Sequence, residues 1–306
     1  MAEERTLSGR VIRSFGNRFI VLTAEGTYDC ALRGKFRLSD TKILNPVAVG
    51  DRVLITVEDT PYGVIEEVEP RKNKLSRPDV LKPDWEQIVV ANCDQLVVVA
   101  SVARPKLKYG TIDRFLLAGE KAGLECAVVL TKIDLAKPGA YERVLDVYRS
   151  AGYPIIATCA LSGQGIEELR RLTQWKTSIF AGHSGVGKSS LLNALEPGLG
   201  IKTREVSEAT NKGTHTTTYV ELHPLTYGGF IADTPGIRAI GLWQVTPEVL
   251  PQLYPEFRPH HGQCRFSNCL HIGEPGCRIK EAVDRGEIAP ERYDGYLRIR
   301  TTLDEE

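Results

Sequence analysis

Three short motifs carry residue types and spacings suited to nucleotide chemistry. The run GHSGVGKS at residues 182–189 has the G-x-x-x-x-G-K-S spacing of a phosphate-binding loop. It is predicted to follow a strand over 177–181 and to open a helix over 188–195. In such a loop Gly182, His183, Ser184, Gly185, Val186 and Gly187 wrap the phosphates with backbone N–H groups beside a helix N-terminus. Lys188 reaches the β and γ phosphates, the Ser189 hydroxyl binds Mg²⁺, and Ser190 completes the first turn. DTPG at 233–236 follows the apolar strand GGFIA, which puts the Asp233 carboxylate near the metal shell and the Gly236 amide near a γ-phosphate.

The third motif, TKID at 131–134, reads the base. Asp134 can accept hydrogen bonds from both the ring N–H and the exocyclic amine of guanine. Adenine lacks that amine, and each unpaired buried acceptor costs about 1–3 kcal/mol. The Lys132 stem is expected along the base plane. Thr131 stands where Asn is commoner, and its shorter reach predicts somewhat lower base affinity. TCALSGQG at 158–165 offers the Ala160 amide to the guanine O6. In an ordinary guanine-nucleotide domain the phosphate loop comes first and the base-reading motif late. Here TKID, then the loop, then DTPG implies a circular permutation.

Ile237 follows DTPG where a water-orienting glutamine would otherwise stand, so slow intrinsic hydrolysis is expected. His215, in the Gly/Thr-rich NKGTHTTTY segment, is the candidate to complete the site. Thr217, with Thr216 as runner-up, is the candidate to ligate Mg²⁺ and close over the γ-phosphate. The catalytic set predicted from sequence is therefore His215, Lys188 and Thr217.

Cys264-x₄-Cys269-x-His271-x₅-Cys277 offers three thiolates and an imidazole, a complete tetrahedral set for one structural Zn²⁺. His260 and His261 lie just upstream as substitute ligands. The chain has seven cysteines, an odd number, with the other four scattered singly. That pattern favours metal over disulfides in a reducing compartment.

These motifs need elements to hold them. The chain of 306 residues suggests two or three domains. From residue 7 to about 70, short runs such as NRFIVLTA and DRVLITVED alternate apolar with polar residues between Gly-containing turns. They predict a five-stranded barrel of the oligonucleotide-binding (OB) type, with an SH3-like barrel as the alternative. The basic stretch RKNKLSRPDVLKP reads as a linker. Continuous apolar strands such as QLVVVASV and CAVVLTKI, alternating with helices near 112–122 and 140–150, predict a parallel α/β domain. A helical tail over 289–300 follows the cysteines, in a unit too small to bury much core without a metal. The expected boundaries are 1–72, 73–241 and 242–306.

Formal net charge is zero, so any RNA surface must be local. Candidates are Arg33, Lys35, Arg37 and Lys42 in the barrel, and Arg71, Lys72, Lys74 and Arg77 in the predicted linker. No apolar run approaches the roughly 20 residues of a membrane helix. The polar start MAEERTLSGR lacks a signal-peptide core, so a soluble, cytoplasmic protein is expected.

The joint order of TKID, GHSGVGKSSL, THTTT and DTPGI, preceded by a β-barrel and followed by C-x₄-C-x-H-x₅-C with EPGC and a helical tail, resembles the ribosome small-subunit-dependent GTPase A (RsgA/YjeQ) family. The resemblance spans essentially the whole chain. It implies a multidomain α/β protein with an N-terminal OB-fold barrel, a circularly permuted P-loop GTPase and a C-terminal helical zinc-binding domain. It also implies binding to the small (30S) ribosomal subunit and 16S rRNA late in maturation, with subunit-stimulated hydrolysis of GTP to GDP. His215 is then the residue that helps position the attacking water, and a monomer is expected. Two other classes stay open on the residues alone: a metabolic NTPase or kinase, and an RNA-binding module whose nucleotide site only regulates affinity.

Overall fold

The computed structural model describes residues 4–34, 36, 42–58, 60–79, 81–201, 220–233 and 242–304. His215, Thr216, Thr217, Gly236, Ile237, Lys35 and Arg37 lie outside the described residues. The chain forms two compact units.

In the first unit, β1 (Arg5–Phe15), β2 (Arg18–Thr23), β3 (Gly26–Leu32), β4 (Arg52–Val57) and β5 (Tyr62–Val68) build the barrel. Neighbours pair antiparallel except β3 with β5, which run parallel, and the ring closes because β1 pairs with both β2 and β4. Side-chain alternation explains the closure. Val11, Val21, Cys30, Val53, Ile55 and Ile65 point inward and are fully buried, while Arg18, Arg52 and Glu66 between them face outward. The long β1 shifts register between Val11 and Arg13, and Arg13 then pairs with Glu221. Glu221 begins β12 (Glu221–Pro224), which lies antiparallel to β13 (Phe230–Asp233). β13 in turn runs parallel to β11 (Thr177–Ala181). Arg10 of β1 locks this junction. Its guanidinium donates to Thr177 Oγ1 at 2.8 Å and to the Asn92 carbonyl at 2.7 Å, and lies 4.9 Å from the Phe230 ring centroid.

The predicted linker is instead half of a hairpin. β6 (Lys74–Pro78) pairs antiparallel with β7 (Glu86–Ala91), and Leu75, Ile88 and Val90 are buried. Its proline stands at the strand end, where no ladder hydrogen bond is lost. The cations are engaged within the protein. Arg71 makes paired bonds to Asp51 at 2.7 Å, Lys72 reaches Asp94 at 3.3 Å, Lys74 reaches Glu86 at 2.6 Å, and Arg77 donates to Gln87 at 2.8 Å.

In the second unit, β8 (Gln95–Ser101), β9 (Glu125–Thr131) and β10 (Ile155–Ala157) lie in the order β10-β9-β8, with β9 and β10 parallel. Their near-continuous burial is what strands covered on both faces require. The helices are α1 (Tyr109–Lys121), α2 (Glu142–Ser150), α3 (Ile166–Thr173), α4 (Lys188–Leu195), α5 (Arg278–Asp284) and α6 (Pro290–Asp304). Tyr254, Phe257, Ile279, Ala282, Tyr296 and Ile299 share one core with Leu117 of α1. The C-terminal segment is therefore built onto α1.

The centre of that contact is ionic. Arg292 of α6 is fully buried, donates to Glu256 at 2.6 Å and to Asp113 of α1, and lies 4.7 Å from the Tyr254 ring centroid. Tyr148 adds a hydrogen bond to Asp113 at 3.0 Å. Gly295 lets the helices approach, since a Cβ there would overlap the Asp113 carboxylate. Arg292→Ala would leave two buried carboxylates without their cation, at a cost of about 3–5 kcal/mol. Urea denaturation should show that loss. A change within experimental error would mean that the triad contributes nothing to stability.

Candidate functional site

The phosphate loop takes the predicted form. β11 ends at Ala181 and α4 starts at Lys188, as the spacing requires. Gly182 lies so close to β8 that any Cβ would overlap the Val99 carbonyl. Gly187 caps α4 with φ +93°, a backbone that side chains disfavour, and no side chain occupies the cap. The first-turn N–H groups of α4, including those of Lys188, Ser189 and Ser190, are thus oriented for phosphate oxygens. Lys188 Nζ donates to the Gly182 carbonyl at 2.9 Å, which holds the ammonium at the loop. His183 and Ser184 are exposed, and the His183 ring meets Phe115 of α1 edge-on, with 6.4 Å between centroids.

The segment predicted to read the base is tied to this loop. Thr131 is buried at the end of β9, and its hydroxyl donates to the carbonyl of Val186, with Ala100 O at 3.3 Å as a second acceptor. The hydroxyl therefore joins the segment to the phosphate loop, a role that the reach argument from sequence did not foresee. Lys132 takes a left-handed backbone, φ +59°, and its Nζ donates to Gly185 O and Arg104 O, both at 2.6 Å. Asp134 sits on a 3-10 helix, Ile133–Leu135, with its side chain exposed. The loop holding Ala160 is anchored beside it, because Thr158 N and Oγ1 both donate to Leu130 O, at 2.6 and 2.9 Å. Thr131, Lys132, Asp134, Ala160 and the phosphate loop all belong to the second unit. Asp233 ends β13 in register with Phe180 in the first.

Thr131→Ala would orphan the Val186 carbonyl. Loss of about 1–2 kcal/mol is expected, or roughly 5- to 30-fold weaker binding, equal for GTP and GDP. Titration with a fluorescent guanine nucleotide checks this, and unchanged affinity would rule out the tie.

The second constellation lies between the 3-10 helix Pro255–His260 and α5. The ligand atoms of Cys264, Cys269, His271 and Cys277 all lie within 4.8 Å of one another. His271 Nδ1 stands 3.6 Å from Cys264 Sγ and 3.4 Å from Cys277 Sγ. Burial lowers the His271 pKa and so favours the neutral imidazole that a metal needs. Burial also pushes the Cys269 thiol up to about 12, a bias that a bound cation would oppose. Three soft sulfurs and one nitrogen fit Zn²⁺ and leave no protein-derived vacancy for catalysis. His260 instead lies 3.8 Å from Glu287, and neither it nor His261 belongs to the set.

Sequence reasoning missed the supports of this loop. The Glu274 carboxylate accepts from the backbone N–H groups of Leu270, Ile272 and Gly273 at 2.7, 2.9 and 3.0 Å. Burial raises its pKa, but these bonds outweigh that and bring it down to about 2. Tyr293 donates to His271 O at 2.7 Å, and Tyr296 to Leu270 O. The EPG run after the histidine was the available signal for a tight, anchored turn.

A five-stranded OB-type barrel, and a phosphate loop preceded in the chain by its base-reading segment, define a circularly permuted P-loop GTPase. The RsgA GTPase family matches residues 68–243, and the RsgA N-terminal domain family matches residues 8–65. The chain belongs to the RsgA GTPase family. A relative from Gemmatimonas aurantiaca, named small ribosomal subunit biogenesis GTPase RsgA, is 42% identical over 299 residues, 97% of each chain. A Thermotoga maritima protein of the same name is 42% identical over 294 residues, 94% of each. Among solved structures, YjeQ from Thermotoga maritima superposes with a TM-score of 0.82 at 39% identity, covering 99% of this chain and all of that one. YloQ, described as a circularly permuted GTPase, gives 0.75 at 30% identity, with 98% and 96% covered.

Proposed function

We propose that this chain binds GTP with Mg²⁺, hydrolyses it to GDP and phosphate, and does so on the small ribosomal subunit late in that subunit's assembly. The observation that carries the reading is the pair of bonds from Thr131 and Lys132 to the carbonyls of Val186 and Gly185, which joins base recognition to phosphate binding. Asp134 selects guanine, Ala160 N–H faces its O6, and Lys132 lies along the base. Residues Gly182 to Gly187 hold the phosphates, Ser190 sits in the first turn beyond them, and Lys188 neutralises charge as the bond to the γ-phosphate breaks. Mg²⁺, when bound, would withdraw charge from the phosphates. Ser189, Asp233 and Thr217 serve that ion, and Gly236 senses the γ-phosphate. His215 positions the attacking water.

Cys264, Cys269, His271 and Cys277 hold one structural Zn²⁺ that folds the C-terminal segment. The domain limits 1–72, 73–241 and 242–306 belong to this reading, as do action as a monomer in the cytoplasm and contact with 16S rRNA. Support for the partner comes from relatives named for small-subunit biogenesis. No helix among the described residues is long and apolar enough to cross a membrane.

Phosphate release from GTP and ATP, with purified small subunits and with large subunits as control, tests the proposal. A low GTP-specific rate raised many-fold by small subunits alone is the expected result. Equal use of ATP would remove the role given to Asp134, and no stimulation would remove the ribosomal one.

A further inference from the structure

The stretch with the highest charge that sequence reasoning left aside joins β8 to α1. Residues 104–108 read RPKLK, so three cations occur within five residues. Arg104, Lys106 and Lys108 are all exposed. None of their side chains makes a hydrogen bond or ion pair among the described residues. The contrast with the 71–77 stretch is sharp, since all four cations there are engaged internally. Barrel cations follow the same pattern, with Arg5, Arg13, Arg18 and Arg33 on Glu25, Glu221, Asp29 and Glu66. Among the described residues, these cations of the 71–77 stretch and the barrel have partners within the protein and those of this loop do not.

The loop's charge also opposes local stability. Lys108 is the cap residue just before α1, and no acidic residue stands in the first turn. Cations at that end of a helix meet the positive pole of its dipole. The arrangement becomes favourable once an external polyanion meets the three side chains.

Position gives the loop its consequence. The Arg104 carbonyl accepts from Lys132 Nζ at 2.6 Å, and the same ammonium donates to Gly185 O of the phosphate loop at 2.6 Å. Seven residues beyond Lys108, Phe115 meets the ring of His183 in that loop. One surface loop is thus joined to the nucleotide site by a two-bond bridge and by the helix it opens.

We propose that loop 104–108 contacts the phosphate backbone of ribosomal RNA and that this contact reaches the phosphate loop through Lys132 and α1. The proposal rests on the reading of the chain as a small-subunit GTPase. An RNA backbone is favoured over a protein surface because three exposed cations within five residues, with no internal partner among the described residues, suit a line of phosphates.

The test uses the full chain as Lys106→Gln/Lys108→Gln. Arg104 is kept because its backbone carries the bond to Lys132. GTP affinity and unstimulated hydrolysis should stay within about twofold of the parent. Binding to purified small subunits, measured against salt, should lose steepness by about 1.5 in the log–log slope for two phosphate contacts. Stimulated turnover at sub-saturating subunit should fall roughly tenfold, with recovery in Lys106→Arg/Lys108→Arg. An unchanged slope with unchanged stimulation overturns the proposal. Weaker binding with an unchanged slope also overturns it, and assigns the loop to a protein. If the parent chain is itself not stimulated by small subunits, the functional reading falls and this one with it. Parent stimulation that the double variant fully keeps defeats this proposal alone.

Discussion

Lys188→Ala is expected to lower the rate of GTP hydrolysis by about 10²–10³-fold, equivalent to about 2.7–4 kcal/mol of lost transition-state stabilisation. The reason is charge. The leaving β-phosphate oxygens gather negative charge as the bond breaks, and the Lys188 ammonium is held at the Gly182 carbonyl of the loop proposed to bind them. Its truncation should leave the fold intact, because the side chain is only half-buried and sits at the start of α4, where one of its partners is the Gly182 carbonyl. Single-turnover hydrolysis at saturating GTP, with the melting temperature as control, separates the two effects. Hydrolysis at the parental rate would remove Lys188 from the mechanism and with it the assignment of this loop as the reacting centre.

Zinc removal is expected to have the largest effect on stability. Apparent binding free energies for structural zinc are about 10–16 kcal/mol at neutral pH, and in a segment with little core of its own that energy is folding energy. The four ligands lie against Phe257, Tyr293 and Tyr296, so loss of the ion frees the aromatic core around them. Cys269→Ser should bind less than one zinc per chain. It should also melt about 10 °C or more below the parent, taking several kcal/mol at about 2–4 °C per kcal/mol. A chelator added to the parent should reproduce the fall, while His260→Ala should not, since His260 faces Glu287. Metal content by atomic absorption and melting by tyrosine fluorescence decide the matter. A Cys269→Ser protein with full zinc and parental melting would overturn the ligand set.

Much of this site was legible in the chain because it depends on short-range geometry. The strand Thr177–Ala181 and helix Lys188–Leu195 appear with the residues expected of them, since an apolar run, three glycines and a helix start leave the backbone few alternatives. The Cys₃His cluster was legible for the same reason, with all four side chains inside fourteen residues. The barrel strands followed from period-two alternation, which holds wherever one face is buried. Proline and charge in the 71–83 stretch outweighed the weaker apolar signal of Leu75, Ile88 and Val90, and so a hairpin was read as a linker.

By itself, then, the sequence determined which motifs are present: a GTPase phosphate loop in permuted order, a Cys₃His cluster and a small barrel. Only the tertiary structure decided how the groups are connected. It put the Thr131 hydroxyl on a carbonyl 55 residues away and Arg292 on a carboxylate 179 residues away. It also paired the cations of the 71–77 stretch while leaving those at 104–108 exposed. Motifs are local because a short loop's backbone dictates its own geometry. Pairing of charges and hydrogen bonds is decided by which distant segments the buried core brings within about 3 Å of one another.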